Sequence, residues 1–285
     1  MTYPSTKHIA LICNPTAENE RALKAADVVS KLLKGKNIPH SIYIQQWPAD
    51  LNGISDAWIF GGDGTLFYFI NSYPEIKIPL SCFKAGSGND FHWMLYGDIG
   101  YEEQCEKILA GKTQKIDAGV CNGKLFLNGV GIGFDGAIVK DLLGKKKIAG
   151  KASYLVTILK NVFGYKEKFI NIYLPEKGIS QECFMISVAN GKRYGGGFKV
   201  APKASLTDGL LDVNIVGKIP PLKRMRYIPV IERGEHVDLP FVQYYQKDKV
   251  IIKSLSQLPA HFDGEYFEAD KFEINVLPNK FVFSV

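Results

Sequence analysis

The stretch Ala57-Trp58-Ile59-Phe60-Gly61-Gly62-Asp63-Gly64-Thr65-Leu66-Phe67-Tyr68-Phe69-Ile70-Asn71 decides how this chain is read. Ala57 to Phe60 is an apolar run of strand length and Leu66 to Asn71 has helical character, so Gly61 to Thr65 joins a buried strand to a helix. Glycines let the backbone bend there and approach a ligand closely, and the first N–H groups of a helix lack intrahelical partners. An anion is the natural occupant. Asp63 sharpens this, because a carboxylate inside a phosphate cradle repels a triphosphate unless a divalent cation lies near both; the combination implies Mg²⁺. The plain alternative is a strand–helix turn in which Asp63 caps the helix.

Outward from this turn, short apolar runs alternate with helical patterns. Ile9 to Cys13 reads as a strand followed by the amphipathic stretch Asn19 to Lys34, and Ile38 to Ile44 and Ile78 to Phe83 as further strands. Tyr101 to Leu109 reads as a helix ended by Gly111. Such alternation predicts a parallel α/β sheet. From about Lys115 the pattern changes, with strand-like runs at Lys124 to Val130, Phe169 to Leu174, Phe184 to Ala189, Leu210 to Val216, Lys249 to Ile252 and Phe272 to Leu277. Helical interruptions fall at Ala137 to Leu143 with Ser153 to Phe163, and at Leu222 to Glu232. The change predicts an α/β domain over 1–118, completed by a C-terminal strand segment 270–285, and a mostly antiparallel β domain over 119–269.

The bulk numbers fit a folded enzyme or binding protein. Of 285 residues, 46% are hydrophobic and 22% charged, which excludes a disordered or fibrous chain. No apolar run reaches bilayer-spanning length and no signal peptide is expected, so a cytoplasmic protein is predicted. Cys13, Cys82, Cys105, Cys121 and Cys183 are scattered and read as reduced core residues rather than metal ligands. The net charge of +6 is too small to indicate a nucleic-acid partner and is compatible with an anionic membrane surface.

Further motifs follow the phosphate turn in a fixed order: Gly86-Ser87-Gly88-Asn89-Asp90-Phe91, Lys115-Ile116-Asp117, Gly131 to Gly136 (GIGFDG), and Gly195-Gly196-Gly197 leading to Ala201-Pro202-Lys203-Ala204. Asp208-Gly209-Leu210-Leu211-Asp212 and Phe262-Asp263-Gly264-Glu265 complete the series. Together with Gly61 to Thr65 they resemble the diacylglycerol kinase catalytic-domain family, lipid kinases that include bacterial diacylglycerol kinases and sphingosine kinases. The matches span roughly residues 9 to 265, and their order makes them specific. Asn14-Pro15 matches the family's first-strand pair, but Thr16-Ala17-Glu18 lacks the following Ser-Gly. Phe67 and Tyr68 stand where Asn-Glu is usual, and His92-Trp93 where Ala-Arg is common.

The resemblance implies a Rossmann-like nucleotide-binding domain of the phosphofructokinase and NAD-kinase type, a β-sandwich domain, and an active site in the cleft between them. It implies transfer of the γ-phosphate of ATP to a lipid hydroxyl, on diacylglycerol, a sphingoid base or phosphatidylglycerol. Gly62, Asp63, Gly64 and Thr65 would hold the ATP phosphates, with Asn14, Gln45, Ser87, Gly88 and Asn89 near the nucleotide. Asp63, Asp90 and Asp117 would converge on the catalytic Mg²⁺; Ser205, Asp208 and the Leu210 carbonyl would bind a second, structural Mg²⁺. Asp263 and Glu265 are the candidates for positioning and deprotonating the acceptor hydroxyl. Their spacing puts both on one face of an extended segment, unless Gly264 forms a turn. A homodimer is compatible with the sequence. The rival readings are an NAD kinase, which also carries a Gly-Gly-Asp-Gly loop, and a non-catalytic nucleotide- or lipid-binding protein of the same fold.

Two features read as decoys. Gly131 to Gly136 fits the dinucleotide fingerprint, yet no acidic residue follows about 20 positions on, so it reads as tight strand–helix packing. Gly144 to Ala152 (GKKKIAGKA) has one residue too many for a Walker loop. Its lysines, with Lys140, Lys160, Lys166 and Lys168, read as a basic face; Lys218, Lys223, Arg224 and Arg226 form another. Against an anionic leaflet each such residue is worth about 1 kcal/mol, enough in sum for peripheral docking at the inner membrane face.

Overall fold

Ile9–Cys13 (β1), Asp56–Gly61 (β3) and Leu80–Lys84 (β4) are apolar along almost their whole length, as strands buried on both faces must be. In the computed structural model, which describes residues 7–14, 20–143 and 151–285, they pair in parallel. The chain divides into two units, Met1–Ile116 with Asn279–Val285, and Asp117–Pro278. The sequence boundaries at 118 and 270 therefore shift: Asp117 goes with the second unit, and only the last few residues return to the first.

In the first unit β1 pairs with β2 (His40–Tyr43) on one side and β3 on the other, and β3 pairs with β4, all parallel. The end of the C-terminal strand joins β4, also in parallel, with Phe283 opposite Leu80. Cys13 lies opposite Phe60 and Phe60 opposite Phe83, so the turns after β1, β3 and β4 stand side by side at the carboxyl ends of the strands. The helices are α1 (Arg21–Gly35), α2 (Asp63–Ser72), α3 (Asp90–Tyr96) and α4 (Tyr101–Leu109). Phe60 stacks on Phe83 at 4.6 Å between ring centroids, and Phe91 of α3 meets Phe283 at 5.1 Å. Pro15 and Thr16-Ala17-Glu18 lie outside the described residues.

The second unit is β-rich. After β5 (Thr113–Cys121), which bridges the boundary, come β6 (Lys124–Phe126), β7 (Gly129–Gly133), α5 (Phe134–Leu142), α6 (Lys151–Asn161), β8 (Lys168–Leu174) and β9 (Lys177–Ala189). Then follow β10 (Leu211–Gly217), α7 (Pro221–Arg233), β11 (Val242–Lys247), β12 (Lys249–Phe262) and β13 (Glu265–Ser284). The long strands β9 and β12 are each shared, one part with β7 and another with β8, which closes a ring of antiparallel pairings. β10 and β11 extend the sheet from β9, and β13 pairs with β12. Alternation underestimates these strands, because their exposed parts, such as Lys177 to Glu182 of β9, are mostly polar. The Gly144 to Gly150 part of the near-Walker segment lies outside the described residues.

Among the described residues no helix is long and apolar enough to cross a membrane. All five cysteines are free and buried; burial pushes the thiols of Cys13, Cys105 and Cys121 up to about 12 and that of Cys183 to about 11.

Candidate functional site

The glycine turn of the first unit is tighter than the sequence suggests. Helix α2 begins at Asp63, directly after the cap residue Gly62, so Asp63, Gly64 and Thr65 form its first turn. The cap residue Gly62 has no side chain to cap this helix, and the first amides of a helix lack intrahelical partners. A Cβ on Gly61 would meet Thr65 Oγ1 at 2.3 Å, and one on Gly86 would meet the Gly62 Cα at 2.4 Å. Two glycine turns thus touch backbone to backbone, tied by Ala85 N–H donating to the Gly61 carbonyl (2.9 Å). Asn14, at the end of β1, donates from Nδ2 to Thr65 Oγ1 (3.1 Å). Asn89 adopts a left-handed conformation (φ 52°), and its side-chain amide closes the neighbouring turn by accepting from Gly86 N–H (2.9 Å) and donating to the Gly86 carbonyl (2.5 Å). Ser87 is exposed and Gly88 half-buried beside it; Gln45 is exposed, two residues beyond β2.

Asp63 does not stand inside this cradle as a bare charge. Its Oδ2 accepts from Asp90 N–H (3.0 Å) and its Oδ1 from Phe91 N–H (2.9 Å), so it holds the start of α3. The departures from the family pattern are also legible here. Phe67 is buried and Tyr68 exposed. His92 is buried against Gln104, with Nε2 3.1 Å from Oε1, while the Gln104 amide donates to the Cys82 carbonyl (2.8 Å). Burial lowers the His92 pKa, so the ring is a neutral core group.

In the second unit Phe262-Asp263-Gly264-Glu265 is a two-residue hairpin turn joining β12 to β13, with Phe262 paired to Glu265. Asp263 and Gly264 both have positive φ (46° and 91°), the combination Asp-Gly suits in such a turn. The turn thus replaces the extended alternative, and the two carboxylates do not share a strand face. Asp263 is 7% exposed and its carboxylate accepts three backbone N–H groups, from Leu127 (2.8 Å), Asn128 (2.9 Å) and Gly129 (2.8 Å). It anchors the turn to the link between β6 and β7. Glu265 opens β13 and is half-buried.

Asp117 joins the Asp208 turn within the second unit. Its Oδ2 accepts from Gly209 N–H (2.8 Å), its N–H donates to the Leu206 carbonyl (2.8 Å), and Asn190 Nδ2 donates to its carbonyl (3.0 Å). Asp208 Oδ1 accepts from Leu210 N–H (3.1 Å), and Ser205 Oγ lies 3.5 Å from Thr207 Oγ1. Ser205 thus bonds to Thr207, and Asp208 to Leu210. Asp63 and Asp90 belong to the first unit and Asp117 to the second. Among the described residues no group of three or more His, Cys, Asp or Glu side chains is arranged to hold a metal ion.

Sequence reading missed a buried polar cluster beside the hairpin. His261 Nε2 lies 3.3 Å from Asp135 Oδ2, and both side chains are almost wholly buried. Gly264 N–H donates to His261 Nδ1 (3.3 Å). Tyr194 packs edge-on against His261 at 5.1 Å, and burial raises its phenol well above the usual range. Gly131 was a signal for this cluster: a Cβ there would lie 2.4 Å from both Asp135 Oδ2 and His261 Nε2. Gly136 likewise admits Pro259 backbone at 2.2 Å, so the GIGFDG motif is close packing, as read.

Asp135 and Tyr194 also line an apolar pocket of about 750 Å³, counted with its open mouth. Its walls come from α5, α6 and α7 and from β9 and β10, with Phe134, Ile158, Phe184, Val216 and Ile228 prominent. Arg224 is buried at its edge, donating to the Val162, Tyr165 and Ile219 carbonyls and to Glu167 Oε1 at 2.7 Å.

Comparison with known proteins agrees with this layout. Residues 8–121 match the diacylglycerol kinase catalytic domain, and residues 128–283 match the YegS C-terminal NAD kinase beta sandwich-like domain. The probable lipid kinase YegS-like protein of Pseudomonas aeruginosa (strain UCBPP-PA14) is 30% identical, over 76% of this chain and 72% of its own. The diacylglycerol kinase of Bacillus subtilis (strain 168) is 26% identical, over 78% and 72%. A solved diacylglycerol kinase structure from Bacillus anthracis str. Sterne shares the fold, with a TM-score of 0.72 at 21% identity over 99% of this chain and 98% of that one.

Proposed function

This chain belongs to the diacylglycerol kinase family of lipid kinases, and from that premise we propose that it transfers the γ-phosphate of ATP to a hydroxyl of diacylglycerol or a closely related lipid. The observation that carries the reading is the apolar pocket of the second unit, which ends on Asp135 and Tyr194 beside the Asp263 turn. Its apolar lining suits an acyl chain, with a few polar groups at one end for a hydroxyl-bearing headgroup.

The glycine turns of the first unit fit a polyphosphate: Gly62 and Gly86 admit close approach, and the amides of the first turn of α2 supply donors. Magnesium fits as part of the nucleotide, since Mg²⁺ needs only one or two carboxylates besides phosphate oxygens and water. Asp63 or Asp90 would supply these, and bound there the ion neutralises phosphate charge. In this reading Asp208, the Leu210 carbonyl and Ser205 hold a second ion, with Asp117 fixing their turn.

Glu265 is assigned as the base. Asp263 is committed to three amides and acts as the scaffold that aims the next-but-one residue. Glu265 takes the proton of the acceptor hydroxyl as its oxygen bonds to the γ-phosphorus, and the bond from that phosphorus to the leaving ADP oxygen breaks. In this reading the glycine turns of the first unit hold the nucleotide and the Glu265 hairpin of the second unit supplies the base.

Purified protein incubated with Mg²⁺, γ-labelled ATP and a panel of diacylglycerol, sphingoid bases, phosphatidylglycerol and NAD tests this. Label is expected in a lipid, and chelation of Mg²⁺ should stop it. Label in NAD alone, or in no acceptor, would overturn the reading.

A further inference from the structure

Helices α6 and α7 carry apolar side chains on two opposite faces. Ile158 and Val162 of α6 and its following turn, with Tyr227, Ile228 and Ile231 of α7, line the pocket. Yet Val156, Leu159 and Phe163 are 47%, 38% and 50% exposed, and Leu222 and Met225 are 87% and 36% exposed. Solvated helices keep such positions polar; large apolar side chains at one helical spacing need a cover.

The two exposed sets belong to one surface. Arg224, in the first turn of α7, donates from Nη1 to the carbonyls of Val162 (2.6 Å) and Tyr165 (2.8 Å), which pins that turn to the end of α6. Leu222 and Phe163 flank this clamp. The surface is also cationic. Lys160, Lys223 and Arg226 are exposed and take part in no ion pair among the described residues. The sequence of α6 contains no Asp or Glu, and that of α7 contains only Glu232.

We propose that the outer face of α6 and the first turn of α7 dock on an anionic lipid bilayer, with the apolar side chains among the acyl chains and the cations at the lipid phosphates. Exposed apolar groups beside unpaired Lys and Arg are the chemistry of an interfacial helix, and the lack of Asp and Glu in the α6 sequence suits a negative surface. The choice of a bilayer as occupant rests on the lipid-kinase reading. Docked in this way, the helices that wall the pocket stand in the leaflet that holds the acceptor.

The test is sedimentation of the full chain with vesicles, without ATP or acceptor turnover, so that it succeeds or fails independently of the transfer assay above. Vesicles of phosphatidylglycerol and phosphatidylcholine should carry the protein down, with binding falling as salt rises; phosphatidylcholine alone should not. The double variant Phe163→Glu/Leu222→Glu should bind at least roughly tenfold more weakly, with unchanged thermal unfolding. Ile42→Glu, an exposed apolar position in the first unit, should bind like the parent. Wild-type protein left in the supernatant at low salt, or equal binding by the double variant, would overturn the proposal. So would a dimer that the double variant dissociates without loss of vesicle binding, since the face would then belong to a second copy.

Discussion

Asp63-Gly64 and Asp263-Gly264 look alike in the sequence, and in both the aspartate accepts backbone N–H groups from a distant segment. The turns they sit in are different. Asp63 starts a helix after a parallel strand, and its carboxylate ties α2 to α3. Asp263 lies in a hairpin between antiparallel strands, is more deeply buried, and accepts three amides instead of two. A strand–helix junction has donors left over for an anion, because the helix start cannot satisfy its own amides. A hairpin has none left over, so its contribution is to aim the residue beside it.

The largest expected effect separates the aimed residue from the scaffold. Glu265→Gln should lower kcat by about 10²–10⁴-fold with no change in thermal unfolding, as read by steady-state kinetics beside calorimetry. A variant with near-normal turnover would remove Glu265 from the role of base.

Asp263→Ala strands three buried amides and should cost about 3–5 kcal/mol of stability; Asp63→Ala strands two and should cost about 1–3 kcal/mol. Denaturant midpoints of the two variants measure this, and the reverse order would break the comparison.

The glycines differ in kind as well. Gly86→Ala places a methyl against the Gly62 backbone and should cost about 1–3 kcal/mol together with nucleotide affinity. At Gly264 nothing lies within 4 Å and only the positive φ matters. Gly264→Asn should therefore cost less than about 1 kcal/mol, and equal losses at the two positions would show that space is not the deciding factor at Gly86.

A third buried carboxylate sharpens the contrast with a smaller effect. Asp212 accepts hydrogen bonds from the side chains of Tyr244 and Gln246 rather than from backbone amides, and burial, with the Asp208 charge adding, raises its pKa to about 6. A carboxyl whose pKa is raised on folding binds its proton more tightly when folded. Its contribution is fully present below the ordinary carboxylate range and is lost as pH rises through about 6. Asp212→Asn should flatten the stability profile between about pH 4 and pH 6, as thermal unfolding across that range would show. An unchanged slope would assign the pH dependence elsewhere.

Much of the first unit was legible because its strands are continuous apolar runs and its helices have clear periods; α4 falls where Tyr101 to Leu109 predicts it. The second unit was less so. The run Lys124 to Val130 divides into β6 and β7 at Leu127-Asn128, where the amides turn to the Asp263 carboxylate. Strand β12 runs on from Ile252 to Phe262 through polar residues whose partners come from other segments. Asp117 shows the same limit at the site: its hydrogen bond to Gly209, a residue far along the chain, cannot be read from the sequence.

The sequence by itself determined the strand–glycine–helix turn, the change from α/β to β-rich structure, and the motif order that carries the family. These depend on local period, on glycine and on spacing along the chain. Tertiary structure alone decided that Asp63 and Asp263 are held by amides, that Asp135 meets His261 over Gly131, and that α5, α6 and α7 wall an apolar pocket. Those outcomes depend on which distant backbone groups are left without partners, and that is settled only when segments far apart in sequence pack together.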